Sequence, residues 1–240
     1  MQDITLDIQS DEINDLHKIA DLFNTFFCEI PIKLLMNNKI NNSMPPDKHR
    51  MNIKGCNKSF FFSSVTENEV VKLAKSLKNK FTTGYDDILD VIVKQCIAYF
   101  KKPLTGIFNA SLETGTFPEQ LKIAKVMPIH KKGNTRNINN YRPIALLSVF
   151  SKLLEKLVYN RIITFIEKNG IITDAQYGFR SKRSTETALL DFINNVQSAI
   201  DNKMNPVGIF LDLSKAYDVL DHKILLDKLN TYGIRGITSG

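Results

Sequence analysis

A short apolar run, Val207 to Leu211, leads straight into a carboxylate at Asp212. Such a run reads as a buried strand, and a buried strand ends in a charge only where that charge meets a cavity, a metal or water. Phosphoryl transfer needs a carboxylate so placed to hold Mg²⁺, a hard ion that prefers oxygen ligands. Taken alone, an Asp at a strand-to-loop boundary more often caps a turn.

A second feature is the distribution of charge. The chain of 240 residues carries a net charge of +7. Residues 1–30 hold seven acids (Asp3, Asp7, Asp11, Glu12, Asp15, Asp21 and Glu29) against Lys18. Between Glu119 and Glu155 there is no acid, while Lys122, Lys125, Lys131, Lys132, Arg136, Arg142 and Lys152 all fall there. A surface of one sign over that length attracts phosphate; a solvated basic face is the plainer alternative. His17, His49, His130 and His222 are too scattered for a metal site. Cys28, Cys56 and Cys96 form no CxxC pair and read as thiols in a reducing compartment, hence an intracellular protein of nucleus or cytoplasm. No run approaches a membrane span, and the N-terminus does not read as a secretory signal.

With its neighbours, Asp212 takes on more meaning. Phe210-Leu211-Asp212-Leu213-Ser214-Lys215-Ala216-Tyr217-Asp218-Val219-Leu220-Asp221-His222 resembles the first palm motif of non-LTR retrotransposon reverse transcriptases, FLDLSKAFDxVxH. The resemblance implies that Asp212 is a catalytic, metal-binding aspartate. It also implies that the Leu213 carbonyl touches a second metal and that Tyr217 is the aromatic gate beneath the incoming sugar. Asp218 and Asp221 read as structural.

Three upstream blocks resemble the same family in the same order. Lys125 to Gly133, with Asn140-Tyr141-Arg142-Pro143-Ile144, is similar to the fingers hairpin, in which a Lys and an Arg contact the triphosphate. Those roles fall on Lys131 or Lys132 and on Arg142, and a triphosphate does need converging cations, Arg offering a fork that a point charge cannot. Gln176-Tyr177-Gly178-Phe179-Arg180, followed by Arg183-Ser184-Thr185, resembles QxGFRxxxST, which lies near the template. Arg180, Arg183, Ser184 and Thr185 suit phosphate and sugar, although Ser184 or Thr185 could simply cap a helix. Phe60 to Ile88 resembles the amino-terminal extension, whose pattern ends GYDGI. Asp87 stands in place of Gly there, which points to a distorted turn or a decayed copy. The closest subgroup is jockey-like.

The resemblance implies an α+β, right-hand polymerase fold holding fingers and the first part of the palm. It implies partners (RNA template, DNA primer and deoxynucleoside triphosphates) and Mg²⁺ as cofactor. The family draws further carboxylates from a Tyr-Ala-Asp-Asp hairpin, which this sequence lacks. The expectation is therefore an incomplete polymerase domain, inactive alone. The alternatives are a non-catalytic nucleic-acid-binding remnant of a decayed element and an unrelated palm-type metal phosphotransferase.

Four regions position these residues. Residues 1–58 read as a helix over 12–30 and a linker over 37–58. Residues 59–118 form a helical extension, with Thr66 and Glu69 as a capping box, a helix over about 88–100 and another from Pro103 to Gly115. Residues 119–205 are the fingers. They comprise strands 124–130 and 141–147, a helix opened by Ser151 and ended by Gly170, a polar loop over 173–184, and a helix bearing Ala188, Leu190, Ile193 and Ile200. Residues 206–240 begin the palm, with the Val207–Leu211 strand and a last helix capped by Asp221 and stopped at Gly233. The hairpin is expected to lean over that strand, turning Arg142 and Lys131 or Lys132 toward the space above Tyr217.

Overall fold

A computed structural model describes residues 4–8, 11–38, 55–213, 216–217 and 220–235. The elements are β1 (Leu6–Ile8), β2 (Asp11–Ile13), α1 (Leu16–Asn38), α2 (Glu67–Ser76), α3 (Asp90–Thr114), α4 (Glu119–Lys122), β3 (Ala124–His130), β4 (Tyr141–Leu147), α5 (Val149–Lys168), α6 (Thr185–Asp201) and α7 (His222–Thr231). Among the described residues there are two antiparallel two-stranded sheets, β1–β2 and β3–β4. The architecture is mixed: helices with small sheets.

The main core is helical. Val70 and Ala74 of α2, Val93, Ile97, Leu104, Phe108 and Leu112 of α3, and Val149, Leu153, Leu154 and Leu157 of α5 bury against one another. The core thus crosses residue 118, joining α2 and α3 to α5. Polar ties fix the same three helices. Arg161 of α5 grips Glu69 of α2 with two hydrogen bonds, at 2.7 and 2.9 Å. Lys152 meets the buried carboxylate of Asp90 at 3.1 Å. Thr66 caps α2, accepting from the Glu69 N–H, but the Glu69 carboxylate is taken by Arg161, so the expected capping box is only half formed.

Several elements depart from their sequence reading. Residues 90–114 form one helix that runs through Pro103, not two. Pro103 lacks the N–H that would bond one turn back, a cost of about 3 kcal/mol. Burial of five apolar side chains on both sides of it outweighs that loss. Gly115 ends the helix in the left-handed conformation, φ 67°. Helix α5 begins at Val149, capped by Ser148. Ser151 lies inside it, fully buried, donating to the Leu121 carbonyl at 2.8 Å. Helix α1 starts at Leu16 because residues 11–13 are spent in a strand. Most of the 37–58 linker lies outside the described residues.

The largest departure is Val207–Leu211. This segment forms neither helix nor strand, and Val207, Ile209, Phe210 and Leu211 are 80–88% exposed. A strand needs a neighbour to satisfy its backbone groups, and neither hairpin supplies one. A Phe192–Phe210 ring contact at 5.6 Å ties it to α6, none of whose residues is buried.

Candidate nucleotide and nucleic-acid interface

The β3–β4 hairpin forms where the sequence predicts it, with Ile129 opposite Arg142 and His130 opposite Tyr141. Side chains alternate across a strand. One face therefore carries Lys125, Met127, Ile129, Arg142 and Ile144, and the other carries His130 and Tyr141. The Lys131 N–H donates to the Asn140 carbonyl at 2.8 Å, extending the ladder by a residue.

The opposite face is held by the amino-terminal segment. Tyr141 packs edge-on against Phe23 of α1, ring centroids 4.9 Å apart, in a second core with Leu6 and Ile19. Burial pushes the Tyr141 phenol above its ordinary range, and its hydroxyl donates to the Thr135 carbonyl at 2.6 Å. The Asp7 N–H donates to the Arg136 carbonyl, and the Arg136 guanidinium lies 3.5 Å from Asp7 and 3.3 Å from Glu12. Two of the seven acids in the first 30 residues, Asp7 and Glu12, thus meet the tip of the basic hairpin. Nothing in the periodicity of residues 4–13 signalled this short hairpin.

Below the hairpin, the GYDDI block supports the β4–α5 junction. Ser148 donates to Asp86 at 2.5 Å. A Cβ on Gly84 would lie 2.6 Å from the Ser148 nitrogen, so only glycine fits. Asp87, in the place of the pattern's glycine, takes the left-handed φ of 52° that glycine favours. Its carboxylate accepts from the Thr83 hydroxyl at 3.2 Å. The turn therefore keeps its left-handed backbone, because Asp tolerates that region better than most residues.

Of the seven cations between Glu119 and Glu155, four have acidic partners. Lys122 pairs with Glu119, Lys125 with Asp87, Arg136 with Asp7 and Glu12, and Lys152 with Asp90. Among the described residues Lys131, Lys132 and Arg142 have none, and all three are exposed.

The remaining candidates divide. Arg180 is clamped: its guanidinium donates twice to Glu167, at 3.0 and 2.8 Å, and once to the Thr173 carbonyl at 2.8 Å. This holds the Glu167 carboxyl below its usual range. Arg183 pairs with Asp174 at 3.2 Å and lies over the Tyr177 ring. Ser184 caps α6 in a reciprocal box with Thr187, and Thr185 is the first helical residue. The plain helix-capping alternative for Ser184 is therefore realised. Asp212, Leu213 and Tyr217 are exposed. Among the described residues no hydrogen bond or ion pair joins them to Lys131, Lys132 or Arg142, and no cluster of three or more His, Cys, Asp or Glu could hold a metal. The donors around Asp212 do not by themselves fit a two-metal centre. Asp218 lies outside the described residues; Asp221 caps α7, accepting from the Lys223 and Ile224 N–H groups.

The end of α7 closes back on the extension. The Phe60 N–H donates to the Gly233 carbonyl at 2.8 Å, and Ile234 is buried. A Cβ on Gly233, whose φ is 97°, would overlap the Lys58 carbonyl at 2.1 Å. Gly233 therefore does more than stop α7: its lack of a Cβ lets the chain pack against Lys58. No helix among the described residues is long and apolar enough to cross a membrane.

Comparison with known proteins matches residues 129–239 to the family described as reverse transcriptase (RNA-dependent DNA polymerase). The chain is 36% identical over 172 residues to the RNA-directed DNA polymerase from mobile element jockey of Drosophila melanogaster, covering 69% of this chain and 18% of that protein. It is 34% identical over 162 residues to the probable RNA-directed DNA polymerase from transposon BS of the same organism, covering 67% and 18%. A probable RNA-directed DNA polymerase from transposon X-element, also of that fly, is 33% identical over 159 residues, covering 64% and 17%. The chain spans less than a fifth of the length of these curated relatives.

Proposed function

We propose, from the match of residues 129–239 to the reverse transcriptase family, that the chain is part of the RNA-directed DNA polymerase of a jockey-like, non-LTR mobile element. On this reading residues 59–118 are the amino-terminal extension, 119–205 the fingers and 206–240 the beginning of a right-hand palm. The fingers hairpin supplies the cations for a deoxynucleoside triphosphate, Asp212 supplies one carboxylate of a Mg²⁺ site, and Tyr217 faces the sugar. RNA template and DNA primer are the macromolecular partners, inside the cell.

One observation carries the reading furthest. The fold neutralises four of the seven cations in the acid-free stretch and leaves Lys131, Lys132 and Arg142 without an acid among the described residues. Those three are the residues that the family resemblance assigns to the triphosphate. Lys131 and Arg142 also lie at the same end of the hairpin, beside its turn, so both can approach one ligand. Chemistry at Asp212 needs more carboxylates than the described residues offer, since two-metal catalysis flanks its ions with several.

The test is equilibrium binding of a fluorescent deoxynucleoside triphosphate to the 240-residue chain. Arg142→Ala is expected to weaken binding by about tenfold or more, and Arg142→Lys to restore only part, because the fork is lost. Equal affinity in all three proteins contradicts the assignment.

A further inference from the structure

The loop over residues 173–184 is tightly braced, yet it holds one large apolar ring out into solvent. Arg180 is fixed by Glu167 and Thr173, and only 11% of its side chain is exposed. Gln176 donates to the Gly178 carbonyl at 3.2 Å, Tyr177 bonds Asp191, and Arg183 lies over Tyr177. Against this inward pattern Phe179 is 81% exposed. Its backbone is left-handed, φ 61°, which an L residue other than Asn or Asp adopts at a cost. Strain at an exposed aromatic, maintained by bonded neighbours, is a mark of a working surface.

A second aromatic lies beside it. Tyr159, on the outer side of α5 and 44% exposed, reaches the Phe179 carbonyl through its hydroxyl at 3.5 Å. The Lys156 ammonium sits 4.8 Å over the Tyr159 ring. Lys182, three residues beyond Phe179, is also exposed and left-handed, φ 62°. The acids of the loop and of α6 beside it are engaged, Glu167 by Arg180, Asp174 by Arg180 and Arg183, and Asp191 by Tyr177, while Glu155 of α5 stands beside Lys156.

We infer that Phe179 and Tyr159, with Lys156 and Lys182 beside them, form a stacking platform for the bases of a single nucleic-acid strand. The inference rests on the polymerase reading above and adds a contact surface to it. An exposed ring takes the π face of any unpaired base, and flanking ammonium groups take the phosphates. A duplex offers no open base face. An apolar protein partner would gain nothing from the two lysines.

The experiment uses the 240-residue chain and a fluorescein-labelled single-stranded 20-nucleotide RNA, followed by anisotropy over a salt series. A duplex of the same sequence is the control. Phe179→Gly should weaken single-strand binding by about fivefold to a hundredfold, leave the salt slope unchanged, and leave duplex binding unchanged. It should not lower the melting temperature, because glycine accepts the positive φ. Phe179→Trp should restore affinity. Lys156→Ala should flatten the salt slope by about 0.7. Wild-type affinity in Phe179→Gly, with salt-dependent binding intact, overturns the platform alone and leaves the polymerase reading standing. A lowered melting temperature with parallel loss of single-strand and duplex binding overturns it by making the ring structural. Reduced self-association in Phe179→Gly at unchanged RNA affinity overturns it by giving the ring a protein partner. A folded wild-type chain that binds no RNA at any salt overturns the polymerase reading as well.

Discussion

Asp87 shows how a departure from a family pattern is absorbed at a single residue. Its φ of 52° is that of a glycine. Replacing Asp87 with Gly relieves the left-handed conformation but loosens the unfolded chain, two effects of about 0.5–1 kcal/mol that oppose each other. Asp87→Gly is therefore expected to change stability by less than about 0.5 kcal/mol. Asp87→Val, whose branched side chain has no comfort at positive φ, should cost about 1–2 kcal/mol or more. Urea unfolding of the pair checks this. Glu167 gives a second residue-scale expectation. The two hydrogen bonds from Arg180 hold its carboxyl below the ordinary 4.5. A depressed acid contributes stability that is complete above its unfolded value and is lost as pH falls through the folded one. Arg180→Gln should thus lower the melting temperature at pH 7, and the gap from wild type should close as pH drops well below 4.5. A gap that stays constant down to pH 3 contradicts the clamp.

At the scale of elements, the hairpin was legible and its supports were not. Strand boundaries 124–130 and 141–147 follow from turn residues between apolar runs, and the observed strands have those limits. The supports are long-range: Gly84 under Ser148, Asp90 under Lys152, Phe23 under Tyr141. No local pattern encodes a pairing across 62 residues such as Asp90 with Lys152. Pro103 misled because its local cost was visible while the shared core on both sides of it was not. The same reasoning predicts where the hairpin is vulnerable. Gly84→Ala forces backbone apart at the β4–α5 junction and should cost about 1–3 kcal/mol. Lys152→Met leaves the buried Asp90 carboxylate without its cation and should cost about 2 kcal/mol, discounted from the full buried-pair penalty because Lys152 is one-third exposed. Chemical denaturation reads both.

Across the whole molecule, apolar surface is unevenly shared. The helical extension and α5 close around a dry core, whereas α6, Val207–Leu211 and Leu213 leave many large side chains exposed. Exposed apolar patches of this kind mark contact surfaces or aggregation. The Val207–Leu211 reading as a strand was half legible: its apolar run and its terminal Asp212 stand out, but a strand is a property of a pair, and its partner is not among the described residues. The 240-residue chain alone is expected to bind an apolar dye strongly and to extend no primer on an RNA template with Mg²⁺ and four deoxynucleotides. Extension abolished by Asp212→Ala would contradict the second expectation.

The function turns on the phosphate role proposed for Lys131, Lys132 and Arg142, which have no acidic partner among the described residues. That role is tested most directly by the salt dependence of single-stranded RNA binding. Each phosphate contact contributes about 0.7 to the slope of log affinity against log salt. Lys131→Ala with Lys132→Ala is expected to flatten the slope by about 1.4, and adding Arg142→Ala to flatten it by about 2. The paired Lys122→Ala should leave the slope as it was. A slope unchanged in the triple variant, or moved as much by Lys122→Ala, would rule out phosphate contacts by these three residues.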